Sequence, residues 1–344
     1  MKLTEIVLDD AVGMILAHDM TMIDAKLGTK GARFKRGQIV TVEDLPVLRA
    51  MGREHISILE LEPNETHEDD AARALCEALM GENCSSSPPA EGRVTIRALC
   101  DGLLVYDPQT VHRVNEDPDW VLATAPPYRQ VRAGQPLAGF RIRPLSIERH
   151  RVERAAAVAG RIAVRRFKPL KSGLLTTGRE ILSGLVDDAF ADKFKRKISS
   201  LGGIFIGQRF SDDDTALISS GIRAFIEEGA DVVVCTGGMS VDPDDRTPGA
   251  IRLVSRSVVF QGVPILPGAM LMMGLADSPS GGDVAILGAP ACVVHDERTS
   301  LDFVLPFIFA GEDPARAVRR HGVGGLCEGC SPCHWPSCSF SALN

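Results

Sequence analysis

The chain has 344 residues, of which 44% are hydrophobic and 24% charged, and its formal net charge is −7. These proportions are typical of globular proteins, and the length is enough for two or three domains. The negative charge excludes broad electrostatic attraction to nucleic acid or to an anionic membrane. No stretch has the apolar length of a membrane span, and residues 1–10 are too polar for a signal peptide. The sequence therefore predicts a cytoplasmic protein that has neither a membrane nor a nucleic acid as partner.

Residues 1–83 predict a small α+β segment, because short apolar runs alternate with turns. Short helices are predicted at residues 42–51 and 69–80, each followed by a glycine that ends it. The Ser- and Pro-rich stretch at residues 84–89 has little to bury, and it predicts a linker.

Residues 93–147 predict a small β-rich domain, because short apolar runs are separated by Gly, Pro, Asn and Asp. This spacing is typical of antiparallel strands joined by turns. Residues 146–161 predict a helix that leads into the next domain.

Residues 165–312 predict an α/β domain in which strands and helices alternate. Strands are predicted at residues 173–176, 204–210, 231–235 and 284–287. Amphipathic helices are predicted at residues 188–201 and 213–228, and a third helix begins with Thr247 as N-cap and Pro248 in its first turn. Repeated β-α alternation predicts a doubly wound, mostly parallel sheet that binds ligands at the carboxyl ends of its strands.

Three polar loops follow these strands, at residues 176–188, 211–214 and 236–248. The two glycines of the third loop let the backbone approach a ligand closely, and free amides there can bind phosphate. Its carboxylates, Asp242, Asp244 and Asp245, would repel a bare phosphate but can hold Mg²⁺ that bridges to it. The alternative is that these aspartates only form turns and helix caps.

Residues 236–251, Thr-Gly-Gly-Met-Ser-Val-Asp-Pro-Asp-Asp-Arg-Thr-Pro-Gly-Ala-Ile, resemble the glycine-glycine signature of molybdopterin-binding domains. Such domains occur in molybdenum insertases (molybdopterin molybdenumtransferases) and in molybdopterin adenylyltransferases. Residues 177–180, Thr-Gly-Arg-Glu, resemble the opening motif of the family, and Asp188 and Asp212 stand where the family has aspartates. The three elements occur in the family's order between residues 177 and 251, which makes the resemblance far more specific than one glycine motif.

The resemblance implies that a molybdopterin, plain or adenylylated, binds at the strand edge. By position, it implies cofactor contacts at Thr177, Gly178, Glu180, Gly237, Gly238 and Ser240. It also implies that Asp188, Asp212 and Asp245 are the acidic catalytic positions and that Asp244 and Asp245 are ligands of Mg²⁺.

One departure from the insertase pattern bears on the reaction. Insertases have Pro-Gly-Lys-Pro where this chain has Pro-Gly-Ala-Met. Ala269 therefore stands in place of the lysine that would face molybdate. Three functions stay open: insertion of molybdate, adenylyl transfer from ATP, and non-catalytic carriage of the cofactor to a molybdoenzyme. A homo-oligomer is expected in each case.

Residues 321–344 form a cysteine-rich tail that predicts a second metal site. Cys327, Cys330, Cys333 and Cys338 offer four thiolates within twelve residues. Such a set suits Zn²⁺, which is preferred here, or an iron-sulfur cluster. The alternative is an unstructured tail with free thiols. The cysteines at positions 235 and 292 are expected to pack as small hydrophobic residues.

Overall fold

The computed structural model describes residues 2–24, 29–90, 92–178, 189–239, 245–320 and 322–341. These residues form an N-terminal unit, a β-rich unit, an α/β domain and a tail packed on the α/β domain. Within the described ranges, no helix is both long enough and apolar enough to cross a membrane.

The N-terminal unit consists of two antiparallel strand pairs around a small core. Its strands are β1 (Lys2–Val7), β2 (Met20–Asp24), β3 (Thr29–Phe34) and β4 (His55–Glu60). Its helices are two 3-10 turns and one α-helix, at Leu8–Ala11, Val42–Asp44 and α1 (Leu45–Ala50). Strand β1 pairs with β4 and β2 pairs with β3. The core includes Phe34, Leu48 and Ile56, which are almost completely buried.

The β-rich unit combines three small antiparallel sheets with three helices. Its strands are β5 (Glu65–His67), β6 (Cys84–Ser86), β7 (Val94–Ala98), β8 (Gly102–Val105), β9 (Trp120–Thr124), β10 (Gln130–Val131), β11 (Pro136–Ile142), β12 (Ser146–Glu148) and β13 (Ala163–Arg166). Its helices are α2 (Glu68–Leu79), α3 (Gln109–Asn115) and α4 (Arg149–Val158). The main sheet has the order β6-β7-β11-β9, and its strands are antiparallel, as predicted.

Two sequence-based expectations for this region are wrong. Cys84–Ser86 is not part of a linker, because it pairs with β7 as an edge strand. Helix α2 packs with the β-rich unit, since Leu75 and Leu79 share one core with Ile96 and Val164. The predicted boundary near residue 83 therefore divides residues that bury one another, and the predicted 93–147 domain is too short.

The α/β domain is built on one six-stranded sheet. Its strands are β14 (Lys171–Thr177), β15 (Ile204–Ser211), β16 (Val232–Thr236), β17 (Ser257–Gln261), β18 (Met272–Asp277) and β19 (Asp283–Ala289). Its described helices are α5 (Ala191–Ser200), α6 (Thr215–Glu227), α7 (Thr247–Val254), α8 (Cys292–His295), α9 (Ser300–Ala310) and α10 (Pro314–Arg320).

The strand order is β15-β14-β16-β19-β18-β17, and the first four strands are parallel. Strand β18 is antiparallel to both of its neighbours. The predicted doubly wound, mostly parallel sheet is confirmed.

Both faces of this sheet are covered, which explains why its central strands are continuously apolar. Val232 and Val234 of β16 pack into one core with Phe194 of α5 and Val304 of α9. Val233, between them, faces the other side, where α6 and α7 supply the opposing apolar residues. The alternation of side chains along a strand thus divides one hydrophobic run between two cores.

Candidate functional site

Three loops begin at one edge of the α/β sheet. In the strand register, Thr177 of β14 lies opposite Ser211 of β15, and Thr176 lies opposite Thr236 of β16. Thr236 in turn lies opposite Ala289 of β19. Because these strands are parallel, their carboxyl ends meet at this edge, called the carboxyl edge below. The expectation that the three loops start at the same edge of the sheet is confirmed.

The Gly237-Gly238 turn packs directly against the end of β14. Gly237 has φ 93° and Gly238 has φ 55°, a backbone region that favours glycine. A Cβ atom at Gly237 would overlap the carbonyl oxygen of Thr177 and lie 2.6 Å from its Oγ1 atom. The turn therefore needs glycine both for its conformation and for its contact with the neighbouring loop.

Thr247 fixes this turn from the other side. Sequence reasoning assigned Thr247 as the N-cap of α7, but Arg246 takes that position and Thr247 lies inside the helix. The fully buried Thr247 hydroxyl donates a hydrogen bond of 2.8 Å to the carbonyl oxygen of Gly237. The N-cap prediction is wrong because this tertiary hydrogen bond uses the hydroxyl, which a local pattern cannot reveal.

Replacing Thr247 with valine is expected to destabilise the protein by about 1–3 kcal/mol, because the Gly237 carbonyl would lose its partner in a buried site. Replacing Thr247 with serine keeps the hydroxyl and is expected to restore most of the loss. The free energy of urea unfolding measures both. Equal losses in the two variants would show that the methyl group of Thr247 matters and the hydrogen bond does not.

Three buried oxygen atoms at the carboxyl edge lack a hydrogen-bond partner within the described part of the chain. They are Thr177 Oγ1, Thr236 Oγ1 and Asp245 Oδ2. Thr177 is 3% exposed and Thr236 is 5% exposed, so water reaches them poorly. An unpaired buried polar group costs about 1–3 kcal/mol, and native proteins rarely leave several of them together. Their position beside a glycine turn at the strand ends makes them candidate contacts of a ligand.

The other predicted site residues fall into two groups. Asp212 is half-buried, and its Oδ1 atom accepts a hydrogen bond of 2.8 Å from the backbone N–H of Asp213, so this oxygen already serves the turn. Gly178 lies at the end of β14, and its N–H donates to the carbonyl oxygen of Ser211. The remaining predicted residues lie outside the described ranges: Glu180, Asp188, Ser240 and Asp244.

The loop that contains Ala269 leads into β18 and packs against α9. The Ser300 hydroxyl donates a hydrogen bond of 2.7 Å to the carbonyl oxygen of Gly268, and the Ser300 N–H donates to Pro267. Ala269, which stands where insertases have lysine, is half-buried next to this contact. Because Met272 pairs with Gly288 near the end of β19, this loop belongs to the carboxyl edge.

Two groups of cysteines have different environments. Cys235 is fully buried in β16, and burial raises the pKa of its thiol to about 12, which keeps it protonated at neutral pH. Cys292 is half-buried, and burial raises the pKa of its thiol as well. Cys235 packs as a small apolar residue in the core, as expected. The four tail cysteines, in contrast, line one small cavity: Cys327, Cys330, Cys333 and Cys338.

The described residues contain no preformed metal centre. No three His, Cys, Asp or Glu side chains within the described ranges are placed so that they could hold an ion together. This finding covers Asp212, Asp245 and the four tail cysteines, but not the aspartates outside those ranges.

The structure defines an α/β domain with a glycine turn at the carboxyl edge of its sheet. A family model described as "Probable molybdopterin binding domain" matches residues 173–310, which correspond to the α/β domain. The resemblance inferred from the glycine-glycine signature is confirmed. A second family model, described as a domain of unknown function, matches residues 5–60, which correspond to the N-terminal unit.

Similarity to individual proteins is distant. A molybdopterin molybdenumtransferase of Synechococcus elongatus is 23% identical over 197 residues, which cover 54% of this chain and 47% of that protein. A CinA-like protein of Syntrophus aciditrophicus is 32% identical over 82 residues, covering 24% of this chain and 19% of that protein. The matches thus span about half the length of the first relative and a fifth of the second. The crystal structure of the molybdopterin biosynthesis enzyme MoaB from Thermus thermophilus is 22% identical, with a TM-score of 0.34, and covers 40% of this chain and 91% of that one.

Proposed function

We propose that the α/β domain binds molybdopterin at its carboxyl edge and that the protein acts in molybdenum cofactor biosynthesis. The observation that carries this proposal is the set of buried, unpaired oxygens of Thr177, Thr236 and Asp245 beside the Gly237-Gly238 turn. Threonine hydroxyls can donate hydrogen bonds to phosphate oxygens, and the glycine turn lets the backbone approach them closely. Since the net charge of the chain is −7, such local groups have to supply the affinity for an anion.

Asp245 gives this site a group that fits a divalent cation. Its Oδ2 atom is buried and lacks a hydrogen-bond partner among the described residues. Mg²⁺ commonly takes only one or two carboxylates and completes its coordination with water and substrate phosphate. Asp245 would hold Mg²⁺ together with Asp188, Asp212 or Asp244, and the bound ion would neutralise phosphate charge during transfer. Asp212 fits less well than Asp245, because one of its oxygens already accepts from the backbone.

The reaction that we propose is group transfer to the bound pterin. Either molybdate enters its dithiolene with loss of oxide as water, or an adenylyl group passes from ATP to its phosphate with release of pyrophosphate. In both reactions the role of this chain's residues is to bind and orient the pterin phosphate at the strand ends. The named relative that matches 54% of the chain is a molybdopterin molybdenumtransferase, which favours insertion. Because Ala269 replaces the insertase lysine, this loop has no cationic side chain at that position, which favours adenylyl transfer.

A second candidate function is non-catalytic carriage of the cofactor to a molybdoenzyme. Ala269 supports it as well, because a carrier needs to bind the pterin but not molybdate. Incubation of the pterin-loaded protein with ATP and molybdate separates the candidates, since a carrier leaves both unchanged. Assembly into a homo-oligomer, docking to a molybdoenzyme and a cytoplasmic location stay predictions.

Valine in place of Thr177 or Thr236 tests the site itself. Each variant is expected to weaken pterin binding by about 10- to 100-fold, the equivalent of about 1.4–2.8 kcal/mol, because a hydrogen bond to a charged group is lost. The stability of the unliganded protein is expected to stay equal or to rise, because valine removes an unpaired buried hydroxyl. Isothermal titration with molybdopterin and thermal unfolding measure the two effects.

Thr176 offers a matched control on the same strand. Its Oγ1 atom accepts a hydrogen bond of 3.0 Å from Gln208 Nε2, and its side chain is equally buried. Valine at position 176 is therefore expected to lower stability and to leave pterin affinity unchanged. If the Thr177 and Thr176 variants behave alike in both measurements, the hydroxyl of Thr177 does not bind the ligand.

A further inference from the structure

The cysteine tail is anchored to the α/β domain at both ends. At its start, the N–H of Cys327 donates a hydrogen bond of 2.8 Å to the carbonyl oxygen of Leu266. At its end, Trp335 and Phe340 pack edge-on against Phe303 of α9, with ring centroids 5.1 Å and 4.7 Å from that of Phe303. The segment that carries the four cysteines is therefore held in place by contacts that do not involve sulfur.

The four thiols surround a single cavity. Cys327, Cys330, Cys333 and Cys338 line a space of about 30 Å³, together with Arg298, Trp335 and Phe340. By the same measure one water molecule needs about 10–15 Å³, so the space can accept a single ion.

Arg298 adds a charge that suits thiolates. Its guanidinium lines the same cavity and forms an ion pair with Asp302 at 3.0 Å. The Nε atom of Arg298 is buried and has no hydrogen-bond partner among the described residues. A donor left unpaired in the wall of a cavity that thiols line can donate to a sulfur atom once that sulfur is deprotonated.

We propose that Cys327, Cys330, Cys333 and Cys338 bind one zinc ion through four thiolates. Soft thiolates prefer zinc among the common divalent ions of the cell, and four such ligands complete a closed, tetrahedral, structural site. One Zn²⁺ ion and four thiolates together carry a net charge of −2, and the positive charge of the neighbouring Arg298 partly offsets it. The proposal does not depend on the function of the carboxyl edge.

The thiols have to move inward to reach the ion. In the structure they stand around the cavity, and no three of them are placed to hold an ion together, whereas zinc binds sulfur at about 2.3 Å. Cys330 and Cys333 are exposed and can move with little repacking. Gly329 between Cys327 and Cys330 has φ 65° and open space around it, so the connecting turn can tighten.

Contraction around an ion would also strengthen the contact between two units. The tail residue Ser337 accepts a hydrogen bond from the Arg129 guanidinium of the β-rich unit. Trp335, two residues before it in the chain, packs on Phe303 of the α/β domain. The bound zinc is therefore expected to fix the tail as a clamp between the β-rich unit and the α/β domain.

Metal analysis of the full-length chain tests the proposal. Protein purified anaerobically without chelator is expected to contain about one zinc per chain, and removal of the zinc is expected to lower the unfolding temperature by several degrees. The double variant Cys330→Ser, Cys333→Ser is expected to lose the ion and to unfold at the temperature of the zinc-free wild type. Cys292→Ser, a half-buried cysteine outside the tail, is the control and is expected to keep the zinc.

Three results would overturn the proposal. The first is wild-type protein that contains no zinc and takes up none when it is titrated with zinc after reduction. The second is retention of zinc by the double variant, which would place the ion elsewhere. The third is iron and acid-labile sulfide at several atoms per chain, with the visible absorbance of a cluster, which would refute the single-ion site.

Discussion

Replacing Gly237 with alanine is expected to reduce pterin binding at least 100-fold. The added Cβ atom would overlap the carbonyl oxygen of Thr177 and lie 2.6 Å from its hydroxyl, so the two loops cannot keep their present contact. The φ of 93° adds a conformational cost of about 1–2 kcal/mol for any residue with a side chain. Both effects disturb Thr177 Oγ1, the unpaired oxygen that we propose as a contact of the ligand. Isothermal titration with molybdopterin measures the loss, and circular dichroism checks that the fold is kept.

Gly202 provides the matched control for this experiment. It also has a positive φ, 71°, but an added Cβ atom would meet no atom within 4 Å. Gly202 follows α5, far along the chain from the glycine turn. Alanine there is expected to cost about 1 kcal/mol of stability through strain and to leave pterin binding intact. If both variants bind the pterin as tightly as the wild type, the glycine turn is not part of the binding site.

Replacing Asp245 with asparagine is expected to remove most of the Mg²⁺ dependence of pterin binding while the unfolding temperature changes little. Asparagine has almost the same shape but lacks the negative charge that holds a hard cation. The Oδ2 atom of Asp245 has no hydrogen-bond partner in the described part of the chain, so little native bonding depends on it. Titration of pterin at a series of Mg²⁺ concentrations, together with thermal unfolding, separates the two effects.

Asp214 is expected to show the opposite behaviour. Its carboxylate caps α6 and accepts hydrogen bonds from the N–H groups of Ala216 and Leu217. Alanine at position 214 is expected to cost about 0.5–2 kcal/mol of stability and to leave the Mg²⁺ dependence of binding unchanged. An Asp245→Asn protein that is several degrees less stable but binds pterin with unaltered Mg²⁺ dependence would show that Asp245 is a structural residue.

The α/β domain could be predicted from the sequence because its signals are local. The run of apolar residues at 232–235 is what a strand buried on both faces requires, and the structure divides it between two cores. The amphipathic pattern of α5 correctly places Phe194 and Ile198 in the core. Because β-α repeats imply parallel strands, the common edge of the three loops followed from the same pattern.

The errors arise where distant residues decide the structure. Ser-rich and Pro-rich sequence predicted a linker at Cys84–Ser86, but the free edge of β7 pairs with it. Helix α2 was assigned to the N-terminal segment because it lies there in sequence, whereas its apolar face is buried by strands that come later. Thr247 has the local signature of a helix cap, but its hydroxyl instead bonds to Gly237.

The candidate site was predictable in position but not in detail. The glycine signature located Gly237 and Gly238, and the strand ends located Thr177. Sequence reasoning missed Thr236 as a candidate ligand group, because its hydroxyl becomes informative only when it is seen to be buried and unpaired. The sequence signal for Thr236 was its position as a polar residue at the end of an apolar strand.

Mass spectrometry of the small molecule released from the purified protein tests the central claim most directly. The protein is produced in a host that makes molybdenum cofactor, then denatured, and the supernatant is analysed for pterins. We expect the wild type to release a molybdopterin, whose mass also tells whether it is bare, adenylylated or loaded with molybdenum. The Gly237→Ala protein is expected to release little or none. Wild-type protein without any pterin, or the same pterin content in the Gly237→Ala protein, would contradict a molybdopterin site at the carboxyl edge.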